Sequence, residues 1–541
     1  MQPPDCEETK NGASKLHRYA CGAWLALALG AALSVAAAIL MWLNMLPLGI
    51  AGQWFWPLRG LPIPIGGSTG LGVILIAWAT GYVLYLLALR AAPKPDQYVI
   101  AVLLCCLAAF SMMTGLYMGE QVPYMRVART VCSVSALPYY GEAVATGDVR
   151  ELLRNYGAGE TQTILPDRIR THPPGTVLYF SLARRLILNS PTLLQVGKRL
   201  LAGEGIHPAD LPLLSHGLTP IRMTADDVAA GFLAGLFLTL SGTLIPAAIF
   251  LIATAVSDKK TASVAALLSA AIPSLLLFVP SIEGFGVLIV MCALGTYLWS
   301  LRRRSYALAA LSGILWVATF LWSIGLLVLA LPAAAVLVSH LKSAPAPDET
   351  GLTGEHTQQA HSQTAALTLS AVALAVFVAA FIVLYLATGY RPLANMRHIL
   401  QAQAQIMTGT GRDHLTWTFM NLYEFGLFLG PMLAVTSLAG LICAMSCKST
   451  TLTRNRCRSY SAISYMGAGL LVAFLLLDAM GSTRGEVGRI WVFFMPLFAL
   501  YAAHLRLYLA DKLWRWYLAA LLAAQVAHTM LLFAYIIPVQ A

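Results

Sequence analysis

Two glutamates beside tyrosines have the residue type and setting that proton transfer requires. Glu120 directly follows a long apolar run and precedes Tyr124, which we include among the candidate site residues. Glu142 stands next to Tyr139 and Tyr140. A carboxylate in such a position can act as a general base that takes the proton from an attacking hydroxyl group. We predict Glu120 as the base and Glu142 as the second candidate; the structural alternatives are an interfacial carboxylate and a solvated helix face.

Cationic residues that could bind a phosphate open a late apolar segment, in Arg484–Trp491 (RGEVGRIW). An arginine at the start of an apolar span is costly unless it is paired or lies at the interface. Arg489 is therefore the phosphate-binding residue that we predict, with Arg484 beside it. As structural alternatives, Arg489 pairs with Glu486 at i, i+3, and Thr483 forms a capping box with Glu486. Glu486 also remains a candidate site residue.

Other polar residues belong to the same predicted outer face. His172 precedes two prolines and a glycine, and could hydrogen-bond a phosphate or a sugar; a neutral structural histidine is the alternative. Glu283 lies between two apolar runs, and Glu424 opens another and could line a groove. Thr224 and Asp227 match a capping box, which explains that aspartate without catalysis.

Patterns typical of metal or cofactor sites are missing from the sequence. The nine cysteines form no CxxC pair and no Cys/His cluster, and there is no Asp-x-Asp motif. A Gly-rich phosphate loop is also lacking. We therefore expect no metal and no cofactor.

The composition requires a lipid environment. The 541 residues are 58% hydrophobic and 11% charged, with a mean hydropathy of +0.71, whereas soluble domains average about 25% charged residues. The net charge of +11 does not indicate a nucleic-acid partner, because the basic residues cluster between apolar runs, where membrane topology places them. We predict an all-α polytopic membrane protein embedded in a lipid bilayer.

Apolar runs of about 18 residues or more indicate about thirteen transmembrane helices. They fall near 21–46, 69–90, 98–117, 228–256, 261–279, 284–301, 305–322, 324–340, 367–388, 422–446, 460–479, 488–507 and 515–538. With the N-terminus in the cytoplasm, the inner segments carry 18 Lys and Arg residues and the short outer loops carry 6. This bias predicts the orientation, with the chemistry on the extracytoplasmic face.

The chain divides into six parts by composition. They are a cytoplasmic tail (1–20), N-terminal spans (21–117), an extracytoplasmic loop (118–227), a transmembrane bundle (228–340), a polar cytoplasmic linker (341–366) and a C-terminal bundle (367–541). Within the loop, Thr176–Leu188 shows helical periodicity with Arg184 and Arg185 on a second face. We expect a surface helix there, with basic side chains that reach lipid headgroups.

The His172-Pro173-Pro174-Gly175 element before a surface helix, together with the Gly485-to-Trp491 element, resembles the GT-C superfamily of membrane glycosyltransferases. The nearer branch is the protein O-mannosyltransferase-like group and its bacterial relatives that modify lipopolysaccharide or lipid A. The motifs total about a dozen residues, while the topology covers most of the chain. The first two spans would be an addition to the usual core.

This resemblance implies a sugar donor linked to polyprenyl phosphate and inverting transfer to an acceptor hydroxyl, at a bacterial inner or plasma membrane. Members of the superfamily usually carry an aspartate where this chain has Glu120, which leaves the identity of the base open. The alternatives are an envelope polysaccharide polymerase, a lipid or solute transporter, and a non-catalytic scaffold. Few charged residues lie within the predicted spans, which favours an interfacial enzyme over a transporter.

Overall fold

Helices make up most of the chain. The computed structural model describes residues 6–59, 81, 94–118, 122–156, 167–342, 355–446 and 454–537. In this part of the chain, eight segments are long and apolar enough to cross a membrane by length and composition: Tyr19–Trp42, Pro95–Leu116, Ala225–Val256, Ile282–Arg303, Ile324–Lys342, Gln363–Thr388, Ser461–Ala479 and Leu513–Tyr535. The expected class, an all-α polytopic membrane protein, is confirmed.

The α-helices are numbered in chain order. They are α1 (Cys6–Trp42), α2 (Pro95–Met118), α3 (Pro123–Cys132), α4 (Pro138–Ala145), α5 (Val149–Tyr156), α6 (Asp167–Arg170), α7 (Gly175–Leu188), α8 (Pro191–Ala202), α9 (Ala225–Gly242), α10 (Ile245–Val256), α11 (Lys259–Ser269), α12 (Pro273–Leu277), α13 (Ile282–Arg303), α14 (Tyr306–Trp322), α15 (Ala330–Lys342), α16 (Glu355–Thr388), α17 (Pro392–Gly409), α18 (His414–Leu429), α19 (Pro431–Ser446), α20 (Arg454–Ala479), α21 (Val487–Ile490), α22 (Met495–His504) and α23 (Asp511–Tyr535). Short 3₁₀ helices span Pro208–Ser215, Ile324–Leu329, Val492–Phe494 and Leu505–Tyr508.

Several predicted spans differ from the helices observed. The predicted span 69–90 lies outside the described residues. The predicted span 261–279 is divided into α11 and α12, because Pro273 forces Ile272 out of the helical region. The segments Tyr306–Trp322 and Val492–Tyr508 are apolar but shorter than the other spans. The exact count of thirteen is therefore not confirmed.

The predicted span 422–446 is not one straight helix, because the chain bends by 105° between α18 and α19. Gly430 occupies a positive φ of 96°, which only glycine adopts readily. The carbonyls freed at this break are satisfied from α23: His528 hydrogen-bonds the Leu427 carbonyl oxygen through Nε2 at 2.8 Å, and Gln525 donates to the Leu429 oxygen at 2.8 Å. The break is therefore a built feature, with polar partners from a distant helix.

The segment predicted as the outer loop folds into helices α3 to α8, which pack on one end of the bundle. We keep the name outer loop for this segment. The helix predicted at Thr176–Leu188 is present as α7, with Val177 and Phe180 buried and Leu182 and Leu186 exposed. Arg184 pairs with Asp227 of α9 at 2.7 Å, a contact that the sequence did not predict.

The N-terminal and C-terminal parts of the bundle share one core. Helix α1 packs against α19 and α23, and α22 packs against α11 and α19. After α1 the chain forms an antiparallel hairpin of β1 (Gly49–Ile50) and β2 (Trp54–Phe55). Two predicted polar segments are partly helical: α1 begins at Cys6 within the predicted tail, and α16 begins at Glu355 within the predicted linker. The described first span is thus an integral part of the bundle.

Candidate functional site

Arg489 lies between two carboxylates that are far apart in the sequence. Its Nη2 contacts Glu486 Oε2, and its Nε lies 3.6 Å from Glu283 Oε1 in the first turn of α13. The side chains of all three residues are about one-fifth exposed. Burial alone would lower the pKa of Arg489, but Glu283 and Glu486 raise that pKa overall. The structure therefore brings together three predicted site residues, and the predicted pairing of Arg489 with Glu486 is confirmed.

The loop before Arg489 has an unusual backbone. Gly481, Gly485 and Glu486 all have positive φ, at 59°, 94° and 58°. Such a conformation costs about 1–3 kcal/mol at a non-glycine residue and persists only where the surroundings fix it. The capping box expected between Thr483 and Glu486 is wrong: Glu486 is itself the residue before α21, in the left-handed region, and its carboxylate binds Arg489.

Two side chains of α18 make hydrogen bonds with the backbone of this loop. Asn421 donates from Nδ2 to the Thr483 carbonyl oxygen at 2.9 Å and accepts from the Gly485 amide at 3.3 Å. Glu424, which is only 2% exposed, accepts a hydrogen bond from the Gly488 amide at 2.9 Å. Sequence reasoning included Glu424 only as a groove residue and missed Asn421. Their common signal is a polar residue within an apolar helix.

Arg484 links the loop before Arg489 to the segment that precedes α18. Its Nη1 donates to the Arg412 carbonyl oxygen at 2.6 Å, and its Nε donates to the Gly481 oxygen at 3.2 Å. Arg412 returns a hydrogen bond to the Arg484 carbonyl and lies over the rings of Trp54 and Trp417. Burial lowers the pKa of Arg412, and the charges of Glu486 and Glu424 oppose that shift. The interactions described for Arg484 are thus with backbone carbonyls.

Tyr139 connects the Arg489 cluster with the outer loop. Its ring lies 5.4 Å from that of His172 in an edge-to-face arrangement, and it is close enough to Arg489 to raise the pKa of the guanidinium. Both Tyr139 and Glu142 also raise the pKa of Tyr156, whose main perturbation is burial. Tyr139 thus contacts His172 and influences the charge state of Arg489.

Glu142 is a buried carboxylate on α4, 8% exposed. Burial raises its pKa above the usual value of 4.5, and no charged partner contributes to that shift. Within the described part of the chain, Glu142 has no ion pair. A desolvated carboxylate of this kind is a better proton acceptor than an exposed one.

The remaining predicted residues lie elsewhere or outside the described residues. Glu120, the first choice for the base, is outside them. Tyr124 packs its ring against Phe232, 5.6 Å away, and its amide donates to Glu204 at 2.7 Å. The predicted capping box of Thr224 and Asp227 is confirmed. Among the residues that the structure describes, no group of three or more His, Cys, Asp or Glu side chains could hold a metal ion.

Comparisons with known proteins give distant similarities only. No protein-family model matches the chain, and no curated protein matches it. A solved structure of the Archaeoglobus fulgidus oligosaccharyltransferase, in complex with zinc and sulfate, is 16% identical over 63% of this chain and 44% of that chain, with a TM-score of 0.31. Another, tethered to an acceptor peptide, is 13% identical over 78% and 56%, with a TM-score of 0.39.

A third structure, of AglB from the same organism with an inhibitory peptide and a dolichol-phosphate, is 15% identical over 76% of this chain and 55% of that chain, with a TM-score of 0.35. The present chain thus matches about half the length of these proteins. Since TM-scores below 0.5 do not establish a shared fold, the function must be argued from the site itself.

Proposed function

We propose that this chain is an extracytoplasmic membrane glycosyltransferase. It transfers a sugar from a polyprenyl-phosphate donor to an acceptor hydroxyl, with inversion at the anomeric carbon. The observation that carries the proposal is Arg489, which is about one-fifth exposed and held between Glu283 and Glu486. Tyr139, whose ring packs against that of His172, is near enough to influence the pKa of Arg489. This arrangement places an oriented guanidinium at the end of an apolar bundle. A lipid-linked donor fits such a place, because its tail lies among apolar helices while its phosphate meets a cation.

Arg489 binds the phosphate of the donor in this mechanism. Glu486 engages Nη2 and Glu283 faces Nε, so the two carboxylates orient the planar guanidinium. Nη1 makes no ion pair within the described residues. A guanidinium presents paired N–H donors that match two phosphate oxygens. As the bond between sugar and phosphate breaks, these donors stabilise the negative charge that develops on the leaving phosphate. His172, whose ring packs against that of Tyr139, is a further polar group for this role.

Glu142 acts as the general base in this mechanism. The acceptor oxygen attacks the anomeric carbon, the bond from that carbon to the phosphate oxygen breaks, and the hydroxyl proton passes to the carboxylate. The products are the glycosylated acceptor and a polyprenyl phosphate. A single displacement of this kind inverts the anomeric configuration. Its buried setting supports Glu142, and Glu120 is the alternative base.

Donor class is the first property to test. Purified protein in lipid vesicles is given labelled sugars on polyprenyl monophosphate, on polyprenyl diphosphate and on nucleotides. We expect turnover with the polyprenyl monophosphates only. Turnover with nucleotide sugars would contradict a lipid-linked donor, and joining of diphosphate-linked oligosaccharides would indicate a polymerase. Counterflow of an intact lipid or solute without transfer would indicate a transporter.

A further inference from the structure

The hairpin that follows the first span contacts the loop before Arg489 through one buried carboxylate oxygen. Trp56 directly follows β2 and donates from its indole Nε1 to Glu424 Oε1 at 2.9 Å. The same oxygen accepts the Gly488 amide at 2.9 Å. Trp56 is 4% exposed and packs on Phe278 and Phe428 at ring distances of 4.9 and 5.2 Å. Three distant segments thus meet at one atom.

Glu424 holds the amide of Gly488, the residue immediately before Arg489. The peptide on the other side of Gly488 is also fixed, because Ser274 donates a hydrogen bond to the Gly488 carbonyl. A side chain at Gly488 would meet Phe428, since a Cβ there would lie 2.3 Å from its Cδ2. The backbone at Gly488 therefore has little room to move, and its position sets where the side chain of Arg489 begins.

We propose that Trp56 and Glu424 are positioning residues for Arg489. Trp56 orients the Glu424 carboxylate, and Glu424 fixes the Gly488 amide and so the direction of the guanidinium. The role in donor binding rests on the proposed function, whereas the positioning itself does not. The segment after the first span is then part of the functional site. The indole N–H of Trp56, which directly follows the hairpin, donates to the carboxylate that fixes the loop before Arg489.

Four variants separate positioning from general stability. Trp56→Phe keeps an aromatic ring and removes the N–H donor. Trp54→Phe is the matched control, because it removes an indole from the same hairpin whose N–H makes no hydrogen bond within the described residues. Glu424→Leu removes the acceptor, whereas Glu424→Gln keeps an acceptor oxygen on a side chain of the same length.

Donor affinity is measured with sugar-free polyprenyl monophosphate and the full-length protein in lipid nanodiscs. We expect Trp56→Phe, which loses one hydrogen bond, to weaken binding about three- to tenfold, and Glu424→Leu, which loses two, to weaken binding at least as much. Glu424→Gln should recover most of the affinity, and Trp54→Phe should stay within about twofold of wild type. Combining Trp56→Phe with Glu424→Leu should add little, because both act through one contact. Equal losses in Trp54→Phe and Trp56→Phe, or no recovery in Glu424→Gln, would overturn the proposal.

A second readout does not depend on the proposed function. Phenylglyoxal modifies accessible guanidinium groups, and peptide mass spectrometry gives the modification rate at Arg489. We expect faster modification in Trp56→Phe and Glu424→Leu, and the wild-type rate in Trp54→Phe and Glu424→Gln. Wild-type protein that fails to bind polyprenyl phosphate yet shows this pattern would refute the donor class and retain the positioning. An unchanged rate in Trp56→Phe and Glu424→Leu would refute the positioning.

Discussion

At the residue scale, the charge of Arg489 dominates the site. A largely buried arginine is tolerated only with charged partners, and Glu283 and Glu486 supply them from two different segments. Their contacts at Nε and Nη2 fix the plane of the guanidinium. A phosphate must therefore bind through the unused N–H donors, in a geometry that the planar guanidinium dictates.

Arg489→Lys should weaken binding of polyprenyl phosphate about tenfold, because lysine keeps the charge and loses the paired donors. Arg489→Ala should weaken it about 10- to 100-fold, as loss of a charge-assisted hydrogen bond predicts. Titration in lipid nanodiscs gives the dissociation constants. Arg185→Ala, which removes an exposed arginine from α7, is the control and should bind normally. Full affinity in Arg489→Lys would exclude a bidentate phosphate contact.

Glu142 should give the reaction a characteristic pH dependence. Burial raises the pKa of Glu142 above 4.5, so the protonated, inactive form persists to a higher pH than for an exposed glutamate. As the pH falls through that raised pKa, kcat/KM should fall about tenfold per pH unit. Glu142→Gln should lower the rate about 10²–10⁴-fold and abolish this acidic limb.

The matched control for this profile is Glu151→Gln, since Glu151 is exposed on the neighbouring helix α5. It should keep both the rate and the limb. An unchanged profile in Glu142→Gln, together with loss of activity in Glu120→Gln, would assign the base to Glu120 instead.

The sequence predicted part of the site at this scale. Arg489 and Glu486 are three residues apart, so their pairing follows from helix geometry and could be predicted. The contact of Trp56 with Glu424 joins residues 368 positions apart, and no local pattern predicts it. Such contacts depend on how the helices pack, which one sequence does not reveal.

At the element scale, the break between α18 and α19 ends the helix whose side chains contact the site. The bend leaves carbonyl groups without helical partners, and Gln525 and His528 of α23 satisfy two of them. Because these carbonyl groups have hydrogen-bond partners, α18 can end within the apolar core. Asn421 and Glu424 of the same helix contact the loop before Arg489. The polar residues of α23 thus support the site indirectly.

Gly430→Ala should lower the free energy of unfolding by at least about 1–3 kcal/mol, because φ is 96° there and a Cβ would lie 1.9 Å from Gln525 Oε1. Gly426→Ala in α18 is the matched control: its Cβ would meet nothing nearer than 3.9 Å, and alanine favours a helix. Thermal unfolding in detergent measures both variants. Equal melting temperatures for the two would contradict a required turn at Gly430.

Continuous apolar runs were sufficient to predict most spans, because a membrane helix satisfies its own backbone. The break at Gly430 escaped prediction because glycine and proline also occur within intact membrane helices. The break also requires hydrogen-bond partners for the freed carbonyl groups, and these come from α23, about a hundred residues further along the chain.

At the scale of the whole molecule, the proposed function requires the site to face the extracytoplasmic side of the membrane. Helices α3 to α8 and the Arg489 cluster share one end of the bundle, and the cluster Arg302–Arg303–Arg304 ends α13 at the other. Because cytoplasmic segments carry excess Lys and Arg, this arrangement predicts an extracytoplasmic site.

Topology can be checked with single cysteines and a membrane-impermeant maleimide. Gln195→Cys on α8 should be labelled in intact cells, and Arg303→Cys should be labelled only after permeabilisation, since both positions are exposed. The parent chain with its native cysteines gives the background. Labelling of Arg303→Cys in intact cells, with Gln195→Cys protected, would reverse the orientation and place the site in the cytoplasm.

The most direct test of the central claim is single-turnover transfer of a labelled sugar from a polyprenyl-phosphate donor that supports turnover, measured with purified protein in lipid vesicles. Wild type and Arg185→Ala should form product at the same rate, while Glu142→Gln and Arg489→Ala should each lose at least about 100-fold at saturating acceptor. Product formation at the wild-type rate in both Glu142→Gln and Arg489→Ala would contradict the proposed mechanism. No product from wild type with any polyprenyl-phosphate sugar would contradict the proposed function itself.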